Sequence, residues 1–180
     1  MLPAKNIAIA PDNLFPKVKL ETSKGVIIIE LDRIKAPITV DNFLTYVVTG
    51  AYNNTIFHRV IEGFIAQGGG YDVNFVAQKD NGTIVNESGN GLKNEHYTIA
   101  MAKENQPHTA RRQFFFNLAD NKNLDPGRNW GYAVFGSVIE GEEVLDAIAK
   151  VKTHYDETIG WEDVPVEAVF LIKATLLPEG

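Results

Sequence analysis

Short apolar runs recur along most of the chain, and Gly, Asn and Asp residues separate them. Most are rich in β-branched and aromatic residues, which is typical of short antiparallel strands joined by turns. The pattern therefore predicts a mainly β fold. The runs are VKLET, GVIIIELD, TIFHRVI, FIAQGG, YTIAMA, QFFFNLA, YAVFGSVI and VFLIKATLL.

Two stretches have the spacing of amphipathic helices instead. In the first, Pro37 opens a segment whose apolar residues recur every three or four positions, and Gly50 ends it. The second follows Gly141 and has Glu142 and Glu143 in its first turn, where carboxylates suit the helix dipole. Many strands with two helices favour a closed barrel with a helix over each open end, because closure removes exposed sheet edges.

One strand pair, TIFHRVIEGFIAQGGG, carries an arginine and a glutamine among apolar residues. If a three-residue turn around Gly63 joins the two strands, Arg59 faces Gln67 across the ladder. Ile61 then faces Ile65 on the same side of the sheet. A two-residue turn would send Gln67 to the opposite face, so the grouping depends on that turn.

The same alternation applies to RRQFFFNL. It puts Gln113 and Phe115 on one face of a strand and Phe114 and Phe116 on the other. We expect Phe114 and Phe116 to fill the core. The opposite face is then available to join Arg59 in a site.

A surface of arginine, glutamine, isoleucine and phenylalanine offers no nucleophile, no pair of catalytic carboxylates and no metal-ligand spacing. Rotation about a peptide bond to proline needs none of these, because its barrier of about 18 to 20 kcal/mol comes from amide resonance. An apolar pocket can hold the proline ring, and a guanidinium can hydrogen-bond the imide nitrogen as the bond leaves conjugation. Contacts that are stronger in the twisted state than in either planar state accelerate the rotation.

The composition of the chain limits the kinds of molecule that we expect it to bind. A chain of 180 residues with 44% hydrophobic residues suits a single domain. Its net charge of -6 and its scattered 17 Lys and Arg residues argue against nucleic acid. No stretch approaches the roughly 20 apolar residues that span a bilayer, so we expect no membrane partner. The isolated histidines predict no metal site, the absence of cysteine excludes disulfides and a thiolate nucleophile, and we expect no cofactor.

The segment FHRVIEGFIAQGGG resembles the signature of the cyclophilin-type peptidyl-prolyl cis-trans isomerases. The likeness continues through NNTIFHRV, TIAMA, QFFFNLADNKNLD and WGYAVFGSVIEGEEVLDAI, from about Lys17 to Leu177. Within the family the chain is similar to the bacterial enzymes, as judged from GYAVFG and the insertion PGRNWG. The resemblance implies a closed eight-stranded antiparallel cyclophilin-like barrel capped by two α-helices.

The resemblance also implies roles for individual residues. Arg59 matches the catalytic arginine, Gln67 matches the glutamine that orients it, and His58 has a structural hydrogen-bonding role. The other matched residues bind substrate. They are Ile61; Phe64, Ile65, Phe115 and Leu124 at the proline pocket; Ala102 and Lys103 on a strand edge that pairs with substrate backbone; Gln113 as a polar wall; and Asn123 and Tyr132.

Several residues depart from the family pattern, among them Glu62 in the turn, Tyr97 before TIAMA, Asn123 and Arg112. Asn123 stands where many eukaryotic members have a Trp that packs on cyclosporin A, so we predict weak binding of that inhibitor. Arg112 replaces a small residue just before QFFF, and we expect it to add charge near the groove.

The resemblance sets the predicted domain, compartment and function. We expect one isomerase domain over residues 17–178 in a monomer, behind an N-terminal segment 1–16 that suits the remnant of a processed precursor. This N-terminal segment and the resemblance to bacterial enzymes together favour the periplasm over the cytoplasm. The predicted function is isomerisation of X-Pro bonds in proline-containing peptides and unfolded proteins. The alternative is a chaperone or scaffold that holds such segments, but intact Arg59, Gln67 and Phe115 favour the enzyme.

Overall fold

Strands dominate the computed structural model, which describes residues 8–179. In chain order they are β1 (Lys17–Thr22), β2 (Gly25–Leu31), β3 (Thr55–Ile56), β4 (Arg59–Ile61), β5 (Ile65–Gly68), β6 (Thr98–Met101), β7 (Phe114–Asn117), β8 (Val134–Glu140), β9 (Thr153–Asp156), β10 (Trp161–Pro165) and β11 (Phe170–Leu176). The helices are α1 (Pro37–Val48) and α2 (Glu142–Ala149), and a 3-10 turn covers Lys122–Leu124. Both helices lie where the sequence predicted them.

Nine of the strands form one strongly curled antiparallel sheet in the order β3-β11-β1-β2-β8-β6-β7-β5-β4. The expected closed barrel of eight strands is not confirmed, because this sheet has nine strands and its edges, β3 and β4, do not pair with each other. The run TIFHRVI, predicted as one strand, is interrupted at Phe57 and His58. The Phe57 N–H donates to the carbonyl of Val169 at 2.9 Å, outside the sheet ladder. Both edges therefore belong to one short chain segment.

The main core lies inside the curl of this sheet. Phe114 and Phe116 of β7 are fully buried in it, as the alternation predicted. The rings of Phe43 from α1 and Phe114 meet edge to face, with centroids 5.6 Å apart. Phe115, on the opposite face of β7, belongs to a separate cluster. One strand thus supports two apolar clusters, one on each side of the sheet.

The start of α1 is stabilised by a residue distant in sequence. The Glu87 carboxylate accepts hydrogen bonds from the N–H and the hydroxyl of Thr39, both at 2.6 Å. Its second oxygen accepts the N–H of Ile38 at 3.3 Å. A carboxylate at this end satisfies unpaired backbone donors and complements the helix dipole. The sequence pattern placed the helix start, whereas the capping residue came from the tertiary structure.

The N-terminal segment is docked on the domain from Ile9 onward. The Arg33 guanidinium, which is 7% exposed, donates to the carbonyls of Ile9 and Asn13 and forms an ion pair with Asp41 on α1. The Arg33 N–H donates to the carbonyl of Leu14 at 3.0 Å. Residues 8–16 therefore form part of the folded domain. The part of the predicted segment before Ala8 lies outside the described residues.

Strands β9 and β10 form a separate two-stranded sheet. This hairpin packs against β4, the strand that carries Arg59. Its ladder shifts register between Trp161 and Val164. A bulge of this kind changes the direction of the side chains within it.

We predict that Arg33→Met releases the N-terminal segment and lowers the free energy of unfolding by about 2 to 4 kcal/mol, because it leaves a carboxylate and two carbonyls without their donor. Urea unfolding at pH 7 measures the loss. Thermolysin should then cleave near Leu14 and Phe15 in the native protein. Arg128→Met, at an exposed loop residue, is the matched control. Equal cleavage of both variants would contradict the role of Arg33.

Candidate active site

The hairpin of β4 and β5 has the register that was expected for a three-residue turn. Arg59 lies opposite Gln67, and Ile61 lies opposite Ile65. The connecting turn has three residues, and its Gly63 has a φ of 73°, which L-residues with a Cβ rarely adopt. Of the two turn lengths that the sequence left open, the structure therefore has the three-residue turn. It places the four paired side chains on one face of the sheet.

A row of side chains continues from this hairpin across the neighbouring strands. Gln67 of β5 lies opposite Phe115 of β7, which in turn lies opposite Ala100 of β6. The Gln67 side-chain N–H donates to the Gln113 Oε1 at 2.8 Å, and its Oε1 accepts from the Arg59 Nη1 at 3.5 Å. Arg59, Gln67 and Gln113 are all partly exposed. A guanidinium oriented by two linked amides thus borders an apolar surface and is reachable from solvent.

The apolar surface beside this row is the second hydrophobic cluster of the protein, which we call the outer apolar cluster. Its buried centre contains Ile65 and Phe115, and the Phe115 ring meets the Tyr132 ring edge to face at 5.6 Å. Of the residues predicted to bind substrate, the cluster brings together Phe64, Ile65, Ala102, Phe115, Leu124 and Tyr132. It also contains Leu92, Ala100 and Val134, which were not predicted.

The remaining predicted groove residues lie around this cluster. The Lys103 Nζ lies 4.6 Å from the centre of the Tyr132 ring. The Ala102 N–H donates to the Gln113 carbonyl at 3.0 Å, so any pairing of Ala102 with substrate backbone uses its carbonyl. Ile61 is partly exposed at the end of β4, and Asn123 is exposed within the 3-10 turn.

Three buried asparagines support the walls of the cluster from behind, and sequence reasoning missed them. The Asn121 amide donates to the Asn117 Oδ1 at 2.8 Å, and the Asn117 amide donates to the Asn94 Oδ1 at 3.0 Å. Asn117 follows Phe115 by two positions, so the period-two pattern could have placed it on the site face. The Asn121 side-chain amide also donates to the backbone carbonyl of Phe64. The Asn94 side-chain amide donates to the backbone carbonyls of Leu124 and Tyr132.

Arg112 lies beside the groove, as expected from the sequence, in the lining of a recess that also contains Gln67 and Gln113, but its side chain is largely buried. It is 4% exposed and donates to the carbonyls of Gly69 and Lys79 at 2.7 and 2.8 Å. Its guanidinium packs over the rings of Tyr46 and Tyr52. The same alternation that turns Gln113 outward turns Arg112 inward.

Comparison with known proteins agrees with this geometry. The family model for cyclophilin type peptidyl-prolyl cis-trans isomerases matches residues 17–175. The chain belongs to the cyclophilin family of peptidyl-prolyl cis-trans isomerases.

Cyclophilins from several bacteria are similar to this chain over most of their length. Peptidyl-prolyl cis-trans isomerase cyp18 of Streptomyces antibioticus is 48% identical over 164 residues, which are 89% of this chain and 98% of that protein. Peptidyl-prolyl cis-trans isomerase B of Escherichia coli is 45% identical over 163 residues, 88% of this chain and 98% of that protein. These relatives are named isomerases, so the chain is a member of an enzyme family.

Solved structures of a cyclophilin from Cryptosporidium parvum have the same fold. One is 26% identical with a TM-score of 0.75 and covers 92% of this chain and 99% of its own. The other, obtained in the presence of the dipeptide Ala-Pro, has a TM-score of 0.74 at 26% identity and covers 91% of this chain and 99% of its own.

Two further properties of this cyclophilin concern its described residues, 8–179. Within them, no three His, Asp or Glu side chains lie close enough to share a metal ion. None of the helices there is both long and apolar enough to cross a membrane.

His58 packs beside Arg59, the catalytic candidate, through aromatic contacts. Its Nδ1 has no hydrogen-bond partner among the described residues, while its ring meets Tyr71 and Trp161 edge to face at 4.8 and 5.7 Å. Burial, together with the positive charge of Arg59, lowers the pKa of His58 from 6.5 to about 4. His58 is therefore neutral at pH 7.

This pKa predicts a pH-dependent loss of stability. Because the folded-state pKa lies below the unfolded value, the unfolded chain binds more protons, and stability falls as the pH drops from about 6.5 towards 4. Between pH 7 and pH 4.5 the His58 contribution to that loss should be about 2 to 3 kcal/mol. Urea unfolding of His58→Gln at both pH values should show a loss smaller by that amount than in the unmodified protein. His96→Gln, at an exposed site, is the control. If His58→Gln loses as much stability between the two pH values as the control and the unmodified protein do, the lowered pKa is contradicted.

Proposed function

We propose that this cyclophilin accelerates rotation about X-Pro bonds in folding and unfolded proteins by a non-covalent mechanism in which Arg59 stabilises the twisted imide. The observation that carries the proposal is the position of the Arg59 guanidinium, partly exposed and oriented by Gln67, at the border of the outer apolar cluster. Such an arrangement can hold a proline ring and act on its imide nitrogen at the same time.

The apolar cluster is suited to the proline ring. Phe115 is 2% exposed and Ile65 4%, so their positions are set by packing before substrate arrives. Partly exposed Phe64, Leu124 and Tyr132 surround them. Because the asparagine network holds the backbone of all three surrounding residues, the pocket needs little reorganisation on binding.

The proposed task of Arg59 begins when the amide twists. Conjugation then fails, and the nitrogen lone pair becomes a better hydrogen-bond acceptor than in either planar isomer. The guanidinium has five N–H donors, and the contact with Gln67 occupies one of them. Each 1.4 kcal/mol or so by which the twisted state gains over the planar states is worth about tenfold in rate.

The substrate class follows the family, since its members bind proline-containing peptides. The Cryptosporidium relative crystallised in the presence of Ala-Pro supports a small residue before proline as an accepted substrate. We further propose that the protein acts as a monomer and works in the periplasm, with the cytoplasm as the alternative. The similarity to bacterial relatives supports a bacterial origin for this enzyme.

Weak binding of cyclosporin A is part of this proposal. Asn123 is exposed in the 3-10 turn directly before Leu124, a member of the apolar cluster. An amide there offers far less apolar area than an indole. At about 25 cal/mol per Å², a deficit of roughly 60 to 100 Å² corresponds to about 1.5 to 2.5 kcal/mol.

For the proposed mechanism, we predict that Arg59→Ala remains folded and lowers kcat/KM for an Ala-Pro peptide by about a hundredfold or more, the scale of one lost charge-assisted transition-state contact. Arg59→Lys should recover little activity, because an ammonium lacks the planar fork of donors. Exchange spectroscopy on the peptide measures both variants, with Arg128→Ala as the control. Near-normal turnover by folded Arg59→Ala would refute the mechanism. Loss of turnover with undiminished suppression of client aggregation would support the alternative function, a chaperone.

For the inhibitor, we predict that the unmodified enzyme binds cyclosporin A about ten- to a hundredfold more weakly than members with the indole. Asn123→Trp should regain part of the affinity while Ala-Pro turnover changes little. Inhibitor titrations of both proteins, followed by residual turnover, measure this. Nanomolar inhibition of the unmodified enzyme would show that Asn123 does not limit binding.

A further inference from the structure

A second recess adjoins the candidate active site on the side of the β9–β10 hairpin. Its volume is about 510 Å³, within the range of pockets that bind small groups. It shares no residue with the outer apolar cluster, but Arg59, Gln67 and Gln113 line both this recess and the site. A side chain of a peptide that presents its proline to Arg59 could therefore also reach this recess. The other lining residues are His58, Tyr71, Gly160, Trp161, Glu162 and Asp163.

The aromatic walls of the recess are held by mutual packing. The Trp161 ring meets Tyr71 edge to face with centroids 4.8 Å apart, and it meets Phe75 in the same way at 5.9 Å. Trp161 and Tyr71 are both partly exposed. Such rings offer apolar surface to a methylene stem, and their faces attract cations.

The charges of the recess favour a cation. Glu162 and Asp163 lie within the register shift of the hairpin, and neither forms an ion pair with any described residue. His58 is neutral at pH 7, because burial and the nearby Arg59 lower its pKa to about 4. Arg59 is the only cation among the lining residues, and its guanidinium already contacts Gln67. Two carboxylates and one guanidinium thus line the recess.

We propose that this recess binds a lysine or arginine side chain of the client peptide, near the proline, and so gives the enzyme a preference for basic sequences. The stem would pack on Trp161 and Tyr71, and the cationic head would meet Glu162 and Asp163. The proposal rests on the proposed function, since it assumes that Arg59 acts on the proline of that peptide.

A peptide series tests the preference. Each hexapeptide has one Ala-Pro bond, and lysine, norleucine or glutamate is placed in turn at each of the other four positions, with alanine elsewhere. At one or two positions, the lysine peptide should have a kcat/KM about five- to tenfold above that of norleucine, mainly through KM. Equal values for all three residues at every position would overturn the proposal. A preference for glutamate would also overturn it and would show that Arg59 dominates the recess.

Variants identify the groups responsible. Glu162→Gln combined with Asp163→Asn should abolish the lysine preference and leave turnover of the all-alanine peptide unchanged. Glu157→Gln, an exposed carboxylate in the turn of the same hairpin that does not line the recess, should keep the preference. If both variants behave alike, the carboxylates of the recess are not the binding groups and the proposal fails.

Direct binding separates this proposal from the proposed function. The chain has two tryptophans, so Trp130→Phe leaves Trp161 as the single fluorescent reporter in the recess. Its emission should change with the lysine peptide at lower concentrations than with the norleucine peptide. Trp161→Phe, which keeps the exposed Trp130 as reporter, should show no such difference. If no peptide is isomerised, the proposed function fails, and this titration still decides whether the recess binds the cation.

Discussion

The register of the β4–β5 hairpin is the constraint on which the site depends. Side chains of a strand alternate between faces, so a shift of one residue would send Gln67 away from Arg59 and leave the guanidinium without its acceptor. The three-residue turn at Gly63 prevents this, because its φ of 73° closes the hairpin with Ile61 opposite Ile65. The ladder to β7 then carries the alignment on to Phe115. One local backbone conformation thus orders a row of side chains across several strands.

β7 turns that row into a pocket, because it separates two apolar clusters. Phe114 and Phe116 anchor the strand in the main core, which frees Phe115 to form the floor of a cluster on the outer face. This arrangement places backbone carbonyls near apolar groups. These carbonyls need hydrogen-bond donors, because buried polar groups are hydrogen-bonded in folded proteins. Asn94, Asn117 and Asn121 supply the donors. The same amides that satisfy the backbone therefore keep the pocket open and in shape.

Electrostatics distinguishes the two regions on either side of Arg59. On one side the guanidinium borders an apolar cluster, where hydrogen bonds are little weakened by water. On the other side it lines a recess together with Glu162 and Asp163 of the β9–β10 hairpin, with His58 buried between hairpin and sheet. Burial keeps His58 neutral, so the balance of charge beside Arg59 is set by those two carboxylates. A hairpin outside the main sheet thus supplies the carboxylates of that recess.

Much of the site was predictable from sequence because its residues are close along the chain or share a period-two pattern. The opposite faces of Phe114 and Phe115 and the two helices follow from periodicity, and the pairing of Arg59 with Gln67 follows once the turn at Gly63 has three residues. The division of TIFHRVI into two strands could not be predicted in this way, because it depends on the hydrogen bond from the Phe57 N–H to the Val169 carbonyl. The asparagine network, the cap of α1 by Glu87 and the docking of Trp161 beside His58 join segments far apart in sequence. Local patterns determine which face a side chain occupies, whereas only the tertiary fold decides which distant groups meet it there.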